Sequence, residues 1–246
     1  MNITALGLAS CLLTVSCGSK QVHEAAPPWN GHIQRWGTLR EALRDGQDHA
    51  RVAVTEVARK GVYAIGALEG LRGEITVFDG EVWVSEGHAQ RPVTTRGAAT
   101  SANATVLFAA EVHAWREIVV DADVDPSELD AYLASQARAA GLDTSEPFPF
   151  VVEGGLRQLS MHVIAGECPI RARMLGRETT APAYELHAAS VDGRLVGVFA
   201  ADSSGTFCHM GSRTHVHALL ERGGGLTGHA ETVGVAAGAV LKLPGD

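Results

Sequence analysis

The chain has 246 residues, which allows one large domain or two small ones. Hydrophobic residues make up 46% of it and charged residues 20%; this is enough apolar material for a core and argues against intrinsic disorder or a collagen-like structure. Its 20 Lys and Arg against 28 Asp and Glu give a net charge of −8 with neutral His. Because no basic run is present to neutralise phosphates, nucleic acid is not expected as a partner.

Residues 1–17 are predicted to be a signal peptide ending in a lipobox. The apolar stretch from Ile3 to Val15 is too short for a transmembrane helix and is typical of an export signal. Cys11 and Cys17 both follow small residues, as the lipid-bearing cysteine of a bacterial lipoprotein does, and Cys17 leaves the longer apolar stretch before it. We therefore expect an exported protein, periplasmic or anchored in the outer membrane, with a lipid anchor as its only membrane contact. No Lys or Arg precedes the apolar stretch, so an ordinary apolar N-terminal helix is the alternative.

The two remaining cysteines, Cys168 and Cys208, form an even pair. In an oxidising compartment such a pair is a disulfide candidate, and two buried free thiols are the alternative. CxxC spacing is absent, which argues against a cysteine zinc site.

Residues 18–36 are predicted to be a linker, and residues 37–246 to form the folded domain. In its N-terminal half, residues 37–145, Thr38 can cap a short helix that Gly46 stops. Asp79-Gly80 stands between two β-rich runs, which is a strong hairpin signal. Predicted strands of this half cover residues 62–65, 73–78 and 81–84, and residues 104–120 are predicted to form one long strand or two.

One helix is predicted with particular clarity after residue 124. Asp125 is its expected N-cap, Leu129, Leu133 and Ala137 share one face, and the helix should end near Gly141.

The C-terminal half, residues 146–246, has mainly strand signals. The predicted strands are 148–154, 156–164, 184–191, 194–201, 213–220 and 228–236, joined by Gly-rich turns such as Asp192-Gly193. Together the patterns predict an α+β fold of mixed or antiparallel β-sheets with few helices. The strand-rich C-terminal half is expected to form a barrel-like, metal-binding sheet.

Three histidines near the C-terminus predict a metal site. Strand alternation puts His215 and His217 on one face, and a hairpin folded about Gly223 would place His229 opposite His217 on that face. Three facial imidazoles leave outer positions open, as a catalytic metal requires, whereas structural zinc sites usually close all four. Imidazole suits zinc, nickel, iron and copper; we expect a divalent ion, with zinc as the first choice.

At these residues the chain resembles the α-acetolactate decarboxylases, metal enzymes that convert acetolactate to acetoin. The family signature near the metal is an HxH strand, a short turn and Gly-His, and this chain has His215-Val216-His217 and Gly228-His229. An earlier signature, Gly-x-Gly-Thr-Phe followed by Gly-Glu and an Asp-Gly turn, is similar to the segment from Ile65 to Gly80. The resemblance covers roughly residues 37–244.

The resemblance implies a set of site residues. The family's metal histidines fall on His215, His217 and His229, and its active-site glutamate falls on Glu74.

Other family residues are altered in this chain. The signature threonine falls on Ala67, so a hydroxyl is missing. The active-site arginine falls near His162, with Arg157 as another candidate. The glutamate of the family's C-terminal tail has no counterpart in this sequence.

From these residues we expect a metal-dependent carboxy-lyase acting on a small 2-hydroxy-3-oxo acid, acetolactate to acetoin by resemblance, through a metal-stabilised enediolate. Glu74 is the expected proton carrier, and His162 could replace the arginine as an electrostatic or proton-transfer partner. A homodimer is compatible with the resemblance. The alternative is a non-catalytic exported lipoprotein that binds a metal or a small ligand on the same scaffold. A cupin-like β-barrel enzyme also has an HxH strand, but the Gly73-Glu74 hairpin signature argues against it.

Overall fold

A computed structural model describes Met1 and residues 28–88, 91–97, 100–167, 172, 175–179, 181–201, 205–209 and 211–245. Both cysteines of the predicted lipobox, and most of the predicted signal and linker, lie outside these residues. Gln34–Trp36, which the linker prediction included, instead form a strand.

Two antiparallel β-sheets make up the described part of the chain. The strands of the first sheet are β1 (Gln34–Trp36), β2 (Val52–Ala53), β3 (Val62–Leu68), β4 (Gly73–Phe78), β5 (Glu81–Glu86), β6 (Val93–Arg96) and β7 (Asn103–Glu111). The strands of the second are β8 (Trp115–Val119), β9 (Phe148–Val163), β10 (Tyr184–Phe199), β11 (Thr214–Leu220), β12 (Leu226–Val235) and β13 (Val240–Pro244). The change of sheet falls between β7 and β8, so it does not coincide with the expected division of the domain at residues 145/146.

The first sheet has the order β1-β7-β3-β4-β5-β6, with β2 also paired to β7. The second has the order β10-β11-β12-β9-β13-β8, with β10 also paired to β9. That extra pairing curls the second sheet back on itself, but β13 and β8 continue beyond it and leave β8 at an edge. The predicted α+β class with few helices is confirmed, and the barrel-like form of the C-terminal half is not.

The helical segments of the described residues are short. They are a π-helical turn (Arg40–Arg44), α1 (Val54–Val57), two 3-10 turns (Glu69–Leu71 and Pro126–Glu128) and α2 (Leu129–Ala139). Within the described ranges, the helices are too short or too polar to span a bilayer.

Local capping explains where two of these helical segments begin. The Thr38 hydroxyl accepts a hydrogen bond from the Glu41 backbone N–H at 3.0 Å, as predicted, although the segment it caps is a π-helical turn. Asp125 and Glu128 form the reciprocal hydrogen bonds of a capping box ahead of α2. Leu129 and Leu133 then bury one face of α2 in the core of the second sheet, which confirms that helix.

The β4–β5 hairpin forms as predicted. Asp79 and Gly80 have φ values of 51° and 84°, the left-handed conformation that a tight two-residue hairpin turn requires. Gly73 and Glu86 close the far end of the pairing, and this register fixes Glu74 and Thr76 on one face of β4.

Two long strands, β9 and β10, replace four shorter predicted ones. The predicted strands 148–154 and 156–164 merge in β9, and 184–191 and 194–201 merge in β10. Asp192-Gly193 was predicted to turn, but these residues continue β10 and pair with Gly155 and Gly154 of β9. A Cβ at Gly193 would lie 2.9 Å from the Leu219 carbonyl oxygen. The glycine therefore permits close strand approach here instead of a reversal of the chain.

Apolar side chains from both sheets form a shared buried cluster, and this cluster holds the site in place. Ile65, Val106 and Phe108 of the first sheet pack with Val196 and Leu219 of the second. The strand β12 also contacts β4 and β5. Polar side chains of β4, β9, β11 and β12 therefore meet at a cavity between the two sheets.

Candidate metal centre and active site

Three buried histidines converge on this cavity. His215 and His217 project from the same face of β11, and His229 of β12 pairs directly with His217, so the predicted register is confirmed. His215, His217 and His229 are 3%, 1% and 6% exposed, respectively. One nitrogen from each ring can be chosen so that all three lie within 4.8 Å of one another. This triad could hold a metal ion.

Hydrogen bonds behind two of the rings orient them. His215 Nδ1 lies 2.9 Å from the Phe207 carbonyl oxygen, which can only accept, so the proton sits on Nδ1 and the Nε2 lone pair is free to bind a metal. His217 Nδ1 lies 3.1 Å from Thr76 Oγ1, which in turn lies 2.6 Å from Thr227 Oγ1. A side chain of the first sheet thus orients His217 of the second sheet.

Burial keeps the three imidazoles neutral, which is the form that binds a metal. It lowers the pKa of His217 to about 3, with the charge of His162 acting in the same direction. Burial likewise lowers the pKa values of His215 and His229 well below the usual value, and the neighbouring histidines lower them further. Three neutral imidazole donors on one side of a cavity fit a borderline divalent ion such as zinc.

Glu74 of β4 borders the triad. Its Oε2 lies 3.6 Å from His217 Nε2, and its Oε1 accepts a hydrogen bond from the Ile164 backbone N–H at 3.4 Å. Glu74 is only 3% exposed. Burial raises the pKa of Glu74 to about 7, more than the nearby His162 and the Ile164 N–H lower it. A carboxyl group in this environment can exchange a proton near neutral pH.

His162 of β9 stands between two carboxylates. It pairs in register with His229, its Nε2 lies 3.9 Å from Glu74 Oε1, and its Nδ1 lies 3.0 Å from Glu231 Oε1. Burial lowers the pKa of His162, but the hydrogen bond to Glu231 and the charges of Glu74 and Glu231 outweigh burial and raise it overall. The same hydrogen bond lowers the pKa of the Glu231 carboxyl group.

The cavity itself has a volume of about 390 Å³. All five predicted site residues line it: Glu74, His162, His215, His217 and His229. Ala67, where the resemblance placed a threonine, also lines it. Arg157, the other candidate for the arginine, does not line the cavity, and its guanidinium pairs with Asp123.

Several polar lining residues were not predicted as site residues, among them Glu185, His187, His209 and Glu231. Glu231 alternates with His229 along β12 and so faces the same side, a signal that strand parity could have given. The ring centre of His209 lies 4.9 Å from that of His229, and because His209 lies outside the strands, no strand parity could place it. Burial lowers the pKa of His209 as well.

The cysteine prediction is settled only in part. Cys208 carries a buried free thiol, and burial raises its pKa to about 12. Cys168 lies outside the described residues.

Comparison with protein families agrees with this geometry. The model of the alpha-acetolactate decarboxylase family matches residues 37–241. The chain belongs to the alpha-acetolactate decarboxylase family. The match spans all five predicted site residues, and the decarboxylase family indicates a carboxy-lyase acting on a small molecule. No curated protein sequence matches the chain significantly.

Solved structures share the fold at low sequence identity. Alpha-acetolactate decarboxylase from Bacillus subtilis strain 168 is 20% identical with a TM-score of 0.62, over 86% of this chain and 85% of that one. Acetolactate decarboxylase from Bacillus subtilis subspecies spizizenii is 18% identical with a TM-score of 0.64, over 87% and 86%. A Staphylococcus aureus protein of unknown function, similar to alpha-acetolactate decarboxylase, is 15% identical with a TM-score of 0.67, over 86% and 84%. At these identities the likeness establishes the fold alone.

Proposed function

We propose that this protein is a metal-dependent decarboxylase of a small 2-hydroxy-3-oxo acid, with acetolactate as the substrate and acetoin as the product. The observation that carries the proposal is the convergence of three neutral, buried imidazoles and one buried carboxyl group on a single cavity. Family membership supports the reaction class. The donor set supports a divalent ion held by His215, His217 and His229, with zinc as our choice.

A bound divalent ion would supply a Lewis acid that stabilises the enediolate left when CO₂ departs. In the reaction the bond between C2 and the carboxylate breaks, and its electron pair moves onto the ketone oxygen. A proton must then reach the carbon that lost CO₂. Glu74 is our candidate for delivering it, since its carboxyl group faces the triad and is shielded from bulk water.

His162 has a separate proposed role. The Glu231 carboxylate accepts the Nδ1–H of His162, which leaves Nε2 directed toward Glu74. When the ring is also protonated on Nε2, which its raised pKa favours, it can donate a hydrogen bond to an oxygen of the acid or pass a proton to Glu74. It would thereby do part of the work expected of an arginine.

Acetoin formation tests the proposal directly. Purified protein loaded with zinc is incubated with acetolactate, and acetoin is measured against a protein-free control that corrects for spontaneous decarboxylation. We expect turnover by the wild-type protein and its loss in Glu74→Gln. A fully metal-loaded protein with no turnover would contradict the proposal and would favour a non-catalytic metal-binding protein.

Export, the lipid anchor and a homodimer remain proposals drawn from the sequence. The residues that would carry the signal and the anchor lie outside those that the structure describes.

A further inference from the structure

One wall of the cavity becomes apolar with distance from the metal centre. Glu74 of β4 pairs with Ala67 of β3, and Ala67 pairs with Val106 of β7. Residues directly opposite each other in antiparallel strands point to the same face, so these three form one row, and all three line the cavity. The row begins with a carboxyl group and continues with a methyl and an isopropyl group.

The π-helical turn extends this apolar wall. Leu39 precedes the turn and is 7% exposed, Leu43 lies within it and is half-buried, and both line the same cavity. Leu39 is held in place by a backbone hydrogen bond from its N–H to the Thr206 carbonyl at 3.2 Å. We call Leu39, Leu43, Ala67 and Val106 the apolar wall.

The size of the cavity exceeds what a five-carbon acid needs. Its volume of about 390 Å³ falls within the range of about 300–1,000 Å³ that holds drug-sized ligands. From Glu74 to Val106 the row crosses two strand spacings, about 10 Å. A methyl or ethyl group attached to a carbon near Glu74 covers only the first part of that row, and each added carbon covers more of it.

We propose that the preferred substrate is a 2-hydroxy-3-oxo acid that carries an apolar substituent of propyl size or larger, which lies against the apolar wall. The inference rests on the proposed function, because it places the polar end of the acid at the triad and Glu74. Each methylene buried against the wall should tighten binding about fourfold, the factor expected from removing one such group from water.

Binding of unreactive analogues tests this without relying on turnover. The probes are 2-hydroxy-2-alkylcarboxylic acids with methyl, ethyl, propyl and butyl substituents; they lack the 3-oxo group and so cannot decarboxylate by this route. Dissociation constants are measured by isothermal titration calorimetry on the zinc-loaded protein. We expect the dissociation constant to fall about fourfold per added methylene up to propyl. A constant that stays level or rises along the series would overturn the proposal.

Two substitutions test whether the gain in affinity arises at the apolar wall. Val106→Phe and Leu43→Phe should each remove the gain in affinity from longer substituents, measured as the ratio of the propyl to the methyl dissociation constant. Leu43 is half-buried, so its variant folds even if the fully buried Val106 position does not accept phenylalanine. Val93→Phe, at a residue that is 56% exposed, is the control and should retain the full series. Gains that persist in Leu43→Phe would show that the substituent lies elsewhere and would overturn the assignment.

The outcome is separable from that of the proposed function. Acetolactate turnover combined with a level analogue series would overturn the apolar-substituent proposal alone. A steep series in a protein that decarboxylates no 2-hydroxy-3-oxo acid would overturn the proposed reaction and leave the binding assignment standing.

Discussion

Thr76 offers a test of how the first sheet supports the metal site in the second. Its side chain is fully buried, and its hydroxyl lies 3.1 Å from His217 Nδ1 and 2.6 Å from Thr227 Oγ1. Thr76→Val keeps the branched shape of the side chain and removes the hydroxyl. The substitution therefore disturbs the orientation of a proposed metal ligand without touching the ligand itself.

The expected loss of metal affinity can be bounded. Removing a partner behind a metal-binding histidine typically weakens the metal about 10- to 100-fold. His217 also has a backbone hydrogen bond to Ile75, which preserves part of its orientation. We therefore expect the lower end of that range, about tenfold, which corresponds to about 1.4 kcal/mol.

Thr105→Val is the matched control. Thr105 is fully buried, and its hydroxyl donates a hydrogen bond to the Gln47 carbonyl at 3.2 Å, but it does not line the cavity. Thr76→Val should lose about 1–3 kcal/mol of unfolding free energy, since it leaves the buried Thr227 hydroxyl and His217 ring without a partner. Thr105→Val should lose about 1 kcal/mol, the net contribution of one hydrogen bond, since Gln47 is exposed to water. Only Thr76→Val should lose zinc affinity.

Zinc affinity is measured by competition with a chromophoric chelator, and stability by urea denaturation of the metal-free proteins. Equal zinc affinity in Thr76→Val and Thr105→Val would refute the reasoning. It would mean that the Thr76 hydroxyl does not orient His217 for a metal.

Glu74→Gln should lower kcat by about 100-fold or more, the contribution of a positioned acid–base group, while elemental analysis still finds the metal; near-normal turnover would rule out Glu74 as the proton carrier. Glu231→Ala should change the nitrogen NMR shifts of the His162 ring, because both its Nδ1 partner and a charge that raises its pKa are lost; Glu231→Gln loses the charge but keeps an oxygen acceptor, so its shifts should change less. Identical shifts in the two variants would contradict the orienting role of Glu231. In the metal-free protein, burial lowers the pKa of His217 from 6.5 to about 3, so the unfolded chain binds a proton that the folded chain does not. The stability contributed by neutral His217 is complete above pH 6.5 and falls by about 1.4 kcal/mol per unit as the pH drops below it. Urea denaturation should give a shallower pH slope in His217→Gln than in the wild type, and equal slopes would count against a neutral buried His217.

Local patterns predicted the part of the site that lies on one hairpin. His215 and His217 share a face because strand side chains alternate, and a turn centred on Gly223 fixes His229 opposite His217. Glu74 was assigned through its resemblance to a family signature, since a carboxylate near a hairpin would otherwise be expected to face solvent. The capping box at Asp125 and the Asp79-Gly80 turn were equally predictable, because each depends on neighbouring residues.

The features that the sequence could not predict depend on pairing between strands that lie far apart in the chain. Asp192-Gly193 was predicted as a turn, yet Gly193 pairs with Gly154 across β9 and β10, where the absent side chain permits close packing. The contact between His162 and Glu231 depends on the pairing of β9 with β12, strands more than 60 residues apart in the chain. No local pattern fixes that register. Strand parity could place Glu231 on the side of His229, but its contact with His162 could be found only once the sheet was known.

The central claim is that His215, His217 and His229 together hold a divalent metal ion. Elemental analysis of protein purified without chelator, carried out on the wild type and on His217→Ala, tests it most directly. We expect a stoichiometric divalent ion in the wild type and its loss in the variant, with both proteins folded by circular dichroism. The same metal content in both proteins, or none in the wild type even after zinc is supplied, would contradict it.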